Sequence, residues 1–571
     1  MKKIVISFIG CSLLLLFSCG DDESNVATSK SKTATNGIGG CIDFAIAEKY
    51  QTLDPIKVTD VVSFHIVGQI YEPLVRFNEK ELTIMPLLAE SWVIEKNNLI
   101  HTFKLKKGVH FQDNACFKNG KGRELKASDV IYTFKRIYTG EDGNYAYTFL
   151  KDKIVGGEDF KKSGGEIAGI KAIDDYTVEF TLTHPFPNFL SVLATVGTAI
   201  VSQEGIEKNE VVGSGPFTYS KINDNKQAVV LIKNKNYHIA DDKGYALPYL
   251  DSVAYHYVEL GQQQLDLFMN NKLDVITNIP PEAIKGIVES QIADFQDKPV
   301  KFILGRYPQL TTSFLSFNTA IEPFNNVKVR KAIGMAIDKT KIVDKVLKGE
   351  AFGPGEHGIV PPAIKDYDFS SVVGLDYDVA KAKQLLAEAG YPNGKDLPKL
   401  LFTVGKGNTN LRVALEIQKQ LLSNLNINVE ISSLSLAEIR EMNSHSKNHL
   451  MLSAWLGEFP EPLSFLSLFY GKNVPTSIDL PSFPNESRYK NAKFDKLYEQ
   501  ALITIDNKKR YELCLSADQF IAIDAPAIPL WYHENYQLIQ SNVKNFQANA
   551  MKIQYLTYVK LMDASMEVAE K

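Results

Sequence analysis

The chain has 571 residues, with 63 Lys and Arg against 67 Asp and Glu, and 44% of its residues are hydrophobic. That length exceeds what one hydrophobic core supports, so two or three domains are expected. A formal net charge of −4 without a basic tract argues against nucleic-acid binding, and the apolar content excludes a disordered polymer.

Residues 1–18 read as an export signal. Lys2 and Lys3 supply the positive start, and an apolar run ends in Leu13-Leu14-Leu15-Leu16-Phe17. The run is shorter than the ~20 apolar residues a membrane span needs. Leu16-Phe17-Ser18-Cys19 resembles a bacterial lipobox, in which the cysteine becomes the mature N-terminus and carries lipid. Each buried acyl CH₂ then holds the protein to a membrane by ~0.8 kcal/mol. Cys19 is the expected lipidation site; Cys11 stands before the leucine run and fits less well. Residues 19–40 read as a flexible tether, too poor in apolar side chains to offset the entropy of ordering. Its acidic Asp21-Asp22-Glu23 resembles signals that send lipoproteins to the outer face in some Gram-negative bacteria, and reads equally as a solvated linker. Beyond Cys19, the remaining cysteines are Cys41, Cys116 and Cys514. They are far apart, lack zinc-site spacing and allow at most one disulfide. No apolar run after the signal approaches the length of a span.

Further along, Val178, Phe180 and Leu182 alternate with polar neighbours, as in a half-buried strand. Gly213-Ser214-Gly215 lacks the glycine spacing of a nucleophile elbow and reads as a turn before Pro216. Residues 378–390 predict a helix with Ala382, Leu385, Leu386 and Ala389 on one face. Asp376 or Asp378 is its cap, and Gly390 with Pro392 is its stop. Next come a strand over 400–404 and a helix over 410–424 with Leu411, Leu415, Leu422 and Leu425 as its apolar stripe. Strands over 426–431 and 450–455 follow. Strand–helix–strand units of this length favour a parallel sheet, whose ligands bind beyond the carboxyl ends of the strands. The segment just past Trp455 is therefore a site candidate on pattern alone. His445 and His449 have the i,i+4 spacing of a metal pair but sit among Ser, Lys and Asn, as surface histidines do. No phosphate loop, zincin helix or nucleophile elbow is present, so neither an enzyme, a metal site nor a cofactor is expected.

Several blocks carry a resemblance over nearly all of the remaining length. They begin with Thr52-Leu53-Asp54-Pro55, Tyr71-Glu72-Pro73-Leu74-Val75 and Pro86-Leu87-Leu88-Ala89-Glu90-Ser91-Trp92. Phe103 to Phe111, Ala127-Ser128-Asp129-Val130, Gly213 to Phe217 and Pro248-Tyr249-Leu250-Asp251 continue the series. Phe317-Asn318-Thr319, Pro323 to Ile333, Trp455 to Pro462, Phe494-Asp495 and Ala525 to Leu530 complete it. In this order they resemble the extracellular solute-binding proteins of the peptide and nickel class, family 5, which serve ABC importers. The resemblance implies an α/β, two-lobed periplasmic binding protein fold of the Venus-flytrap kind. Domain I would be discontinuous, over 41–72, 201–308 and 528–571. Domain II, 73–200, would be inserted in it, and domain III would span 309–527. Closure of the lobes would bury the ligand.

The same resemblance implies the site. In peptide-binding members an acid three residues after the matching Trp pairs with the peptide's α-amino group. Here that acid is Glu458, and Trp455 would be a cleft wall. Thr59 and Asp60 lie where relatives run backbone along the peptide as an added strand, and Tyr145 and Tyr147 where some relatives place a ligand-side tyrosine. The basic residues that meet the far end of a peptide in some relatives have no clear counterpart. Leu452 stands where one is expected, with Lys406 and Arg412 as substitutes from the neighbouring loop. The expected partners are a short peptide ligand, membrane permease subunits and a lipid anchor to the cell envelope, with the chain a monomer. A sugar, a metal chelate, another amine, a sensor role and a secreted hydrolase are the alternatives.

Overall fold

The computed structural model describes residues 37–562 except 141–143, 221–227, 278, 281–282, 285, 288–300, 349, 436–437, 440 and 443–445. The export signal, nearly all of the tether, Cys19 and His445 lie outside the described residues. An eleven-stranded sheet runs through the molecule. At its centre two long antiparallel strands, Phe302–Phe317 and Ala527–Gln540, lie side by side. Their ladder breaks between Pro308 and Thr312. Proline has no N–H to give to a ladder, so the break is where two halves of a sheet can turn relative to each other. On one side the sheet continues through Val275–Ile276, Cys41–Ile46, Ser252–Tyr257, Ala228–Lys233 and Phe217–Tyr219. On the other it continues through Leu450–Leu456, Leu400–Gly405 and Val429–Leu434. A separate antiparallel sheet of four strands, residues 89–95, 100–105, 177–181 and 170–174, carries helix Ala127–Tyr138 against it. Two lobes are thus joined by the long strand pair. Among the described residues, no helix is long and apolar enough to cross a membrane.

The local expectations fare unevenly. Val178 and Phe180 are buried in strand Thr177–Thr181, and Leu182 is buried just past its end. Helix Val379–Glu388 is capped by Asp378, which accepts the Lys381 N–H, and Ala382 and Leu386 face the core. Strands Leu400–Gly405 and Val429–Leu434 pair in parallel, as do Leu400–Gly405 and Leu450–Leu456. The second of these strands starts later than expected, because Asn426 takes a left-handed φ of 56° to end the preceding helix. The helix Asn408–Leu425 corrects a face assignment. Val413, Ala414, Ile417, Leu421 and Leu425 are buried, whereas Leu411, Leu415 and Leu422 are 40, 49 and 50% exposed. The helix carries two apolar stripes about a third of a turn apart, and the one that includes Ile417 meets the sheet.

Most of the blocks that carry the family resemblance form internal joints. Asp54 accepts from both terminal nitrogens of Arg136. Buried Glu72 takes the Ser214 hydroxyl at 2.8 Å and the Tyr237 hydroxyl at 2.7 Å, with His238 Nε2 at 2.9 Å. Ser214 is therefore occupied as a structural donor. Asp129 accepts the Lys126 N–H and the Arg123 guanidinium. Arg330 donates to the carbonyls of Phe324, Asp524 and Ala525. Buried groups satisfied in this way fix how segments meet. Cys41, Cys116 and Cys514 are buried, and none of the three forms a disulfide with another. His449 accepts the Leu401 N–H through Nδ1 at 3.0 Å, so its ring fastens two strands. Among the described residues no group of three or more His, Cys, Asp and Glu side chains is placed to hold a metal.

Candidate ligand-binding site

Where strand Leu450–Leu456 ends, the chain turns sharply between the lobes. The Gly457 N–H donates to the Leu310 carbonyl at 2.7 Å, tying the turn to the break in the long strand pair. A side chain at Gly457 would meet the Phe465 ring at 2.8 Å, so the turn passes where only glycine fits. The Glu461 N–H then closes on the Phe459 carbonyl at 2.8 Å, and helix Leu463–Leu466 begins after Pro462. This geometry carries Glu458 into a cavity of about 220 Å³. Segments 58–64, 145–149, 195–197 and 456–459 surround it, with Met551 from the C-terminal segment.

Four of the expected residues come together there: Thr59, Asp60, Tyr145 and Glu458. Burial pushes the Glu458 carboxyl up to about 7, with its own N–H and the Trp455 indole opposing. Among the described residues no Lys, Arg or His lies within ion-pair distance of it. Burial also pushes the Tyr145 hydroxyl up to about 12, and the Glu458 charge adds to this. Asp60 caps helix Val61–Ile70 through Oδ1, which accepts the Ser63 N–H at 2.8 Å, while Oδ2 is buried without a hydrogen-bond partner.

The other expected residues stand elsewhere. Leu456, not Trp455, lines the cavity, because successive strand residues face opposite ways. Trp455 packs near Phe483, ring centroids 6.4 Å apart. Its indole N–H acts on the Glu458 carboxyl from outside hydrogen-bond geometry. Tyr147 lies two residues past Tyr145, about 200° around their short helix, and donates to Glu158 at 2.8 Å. Lys161 sits 3.9 Å over its ring. Leu452 is buried beside Leu315. Lys406 is exposed, 3.7 Å from Glu438, and Arg412 is also exposed; neither lines the cavity.

Sequence reasoning missed an aromatic bridge. Phe149 meets Phe459 with ring centroids 5.1 Å apart, and Tyr145 meets Phe149 at 5.0 Å, both edge to face. The i,i+4 spacing of Tyr145 and Phe149 was the available signal. Met551 had none, since it arrives from a distant part of the chain. On the far side of the turn, Glu461, Arg510, Lys365 and Glu81 border a wider groove of about 780 Å³.

The sequence model described as bacterial extracellular solute-binding proteins, family 5 Middle, matches residues 83–477. Heme-binding protein A of Haemophilus influenzae is 25% identical over 566 residues, 96% of this chain and 97% of that protein. Di/tripeptide-binding protein 2 of Pseudomonas aeruginosa is 27% identical over 521 residues, covering 89% and 92% of the two chains. Among solved structures, the Helicobacter pylori ABC transporter-associated periplasmic binding protein DppA, in complex with peptide STSA, superposes with a TM-score of 0.72. It is 27% identical, and the match covers 92% of this chain and 99% of that one.

Proposed function

We propose that this chain, which belongs to the bacterial extracellular solute-binding proteins of family 5, is the ligand-capturing component of an ABC importer. It would hold a short peptide between its lobes and hand it to membrane permease subunits. The single observation that carries this reading is Glu458, a buried carboxylate with no cationic partner among the described residues, facing an interlobe cavity. Such a group is costly until a donor arrives, and the ammonium of a peptide N-terminus is a matching one. Extended backbone at Val58 and Asp60 supports a peptide laid alongside as an added strand. Relatives named for di- and tripeptides, and a similar chain solved with peptide STSA, point the same way. A heme, with its two carboxylates, fits a wall bearing Asp60 and Glu458 poorly.

In this reading the domains are 41–72 with 201–308 and 528–571, then 73–200, then 309–527, and they hinge at the break near Pro308. Cys19 carries lipid, so Cys19→Ala should release the protein from membranes; a variant still fractionating wholly with membranes would remove the anchor from the proposal. The central test is calorimetry of wild type and Glu458→Gln against tripeptides with free and acetylated N-termini. Leaving a buried ammonium unpaired costs about 2–5 kcal/mol, roughly a 30- to 4000-fold loss. Acetylation should cost wild type a similar factor and the variant little more. Equal binding of free-amine tripeptides by both proteins would shift the reading to a sugar or chelate ligand.

A further inference from the structure

The walls around Glu458 say more about the ligand than that it carries an amine. Among the residues lining the cavity, the ionisable side chains are Asp60, Glu458 and Tyr145; none is Lys, Arg or His. Asp60 lines the cavity, and its Oδ2 is buried with no hydrogen-bond partner. Around these acids stand large apolar side chains that the protein itself leaves uncovered. Val61 is 46% exposed, Tyr145 42% and Leu456 56%, and they come from three separate segments. Phe149 and Phe459 close the wall between them. Charge and shape thus ask for opposite features in the ligand at close quarters: hydrogen-bond donors or positive charge toward the two acids, apolar bulk toward the rings.

We infer that the cavity selects peptides with a bulky apolar first residue and excludes a free carboxylate from its enclosed part, so that free dipeptides are rejected while tripeptides and longer, or amidated dipeptides, are accepted. The inference rests on Glu458 receiving the amine. In a dipeptide the carboxylate lies two residues from the amine, ~7 Å at full extension. With the amine at Glu458, that carboxylate stays beside a wall that holds two acids and no base. One more residue carries it outward, and amidation removes its charge.

The experiment is calorimetric titration of the purified chain with Leu-Phe-amide, free Leu-Phe, acetyl-Leu-Phe-amide and Ser-Gly-amide. Leu-Phe-amide should bind roughly tenfold or more tighter than free Leu-Phe, the scale of a like-charge contact held at that spacing inside a protein. It should also exceed Ser-Gly-amide. Asp60→Asn should narrow the gap between amide and acid several-fold, and because Asn caps a helix as well as Asp does, the helix start is kept. Free Leu-Phe binding as tightly as its amide, with acetylation still abolishing binding, would overturn this inference and leave the amine anchor standing. Acid binding tighter than amide would also overturn it, and would direct attention to Lys552, the neighbour of Met551. Acetyl-Leu-Phe-amide binding as well as Leu-Phe-amide would overturn the amine anchor itself. No binding of any of the four would overturn both.

Discussion

Glu458 and Glu461 stand three residues apart in one turn, and both carboxyls are withdrawn from water, but they face opposite sides of it. Glu461 meets Arg510 at 2.9 Å, and Arg510 is itself held by the carbonyls of Thr504 and Ile505. Burial pushes the Glu461 carboxyl up, and Arg510 pulls it back. Glu458 has no cationic counterweight among the described residues, and burial outweighs its own N–H and the Trp455 indole. A buried acid whose cation comes from the same chain is architecture. One with no cation among the described residues is a candidate site. Sequence distance does not separate the two cases; partnership does.

The hardest way to break the comparison is to remove the internal partner. Arg510→Met should leave Glu461 buried and alone, costing about 3–5 kcal/mol of stability, whereas a double change with Glu461→Leu should recover much of it. Denaturant unfolding followed by fluorescence reads both variants. If Arg510→Met unfolds at the wild-type denaturant concentration, the pair is not a joint and the distinction between the two acids fails. Glu461 Oε2 and Arg510 Nε are both buried without partners, which is consistent with a pair kept for geometry rather than for its net energy.

The second test uses pH on Glu458. Burial pushes its carboxyl up to about 7, above the ordinary 4.5, so it is protonated below about pH 7. A ligand ammonium favours the ionised form, so binding below pH 7 must release a proton. Peptide affinity should therefore fall as pH drops from 7 to 5, by up to about tenfold per unit. It should fall again above about pH 8, where an α-amine loses its own proton. The stability sign is the reverse. A folded carboxyl raised above its unfolded value destabilises the protein progressively from about 4.5 up to 7, and fully above 7. Glu458→Gln should accordingly raise the thermal midpoint much more at pH 8 than at pH 5. Calorimetry in buffers of different ionisation enthalpy counts the proton directly; no release at pH 6 would contradict an unpartnered acid at this position.

How much of this was legible beforehand depends on what each residue answers to. Glu458 was visible because it follows a strand end at the edge of a parallel unit, and because its spacing from Trp455 matches relatives. Asp378 and the face of Ala382 and Leu386 were visible because caps and helical periods are local. Leu411, Leu415 and Leu422 misled because a helix with two apolar stripes does not say which one meets the sheet. Tyr145 and Tyr147 were alike in sequence, and the turn of a short helix sent one to the cavity and the other to Glu158. Met551 was hidden altogether, since only the tertiary path of the C-terminal segment brings it to the wall.

A third acid sharpens the contrast from the weak end. Glu81 pairs with Lys365 across the same groove that Glu461 and Arg510 border, and the two residues come from segments on opposite sides of it. The pairing holds the Glu81 carboxyl below its ordinary range and the Lys365 ammonium above its own. Both partners are open to water, however, so ions and water compete for each of them. Lys365→Gln should therefore leave the denaturant midpoint where it is. If the lobes close on a peptide as proposed, its effect should appear in peptide binding, and only at low ionic strength, where the attraction reaches across the groove. In about 0.5 M salt the variant and wild type should bind alike, since the screening length there is well under 10 Å. A loss of affinity that persists in high salt would mean that Lys365 contacts the ligand, and partnership with Glu81 would then be the wrong description of its role.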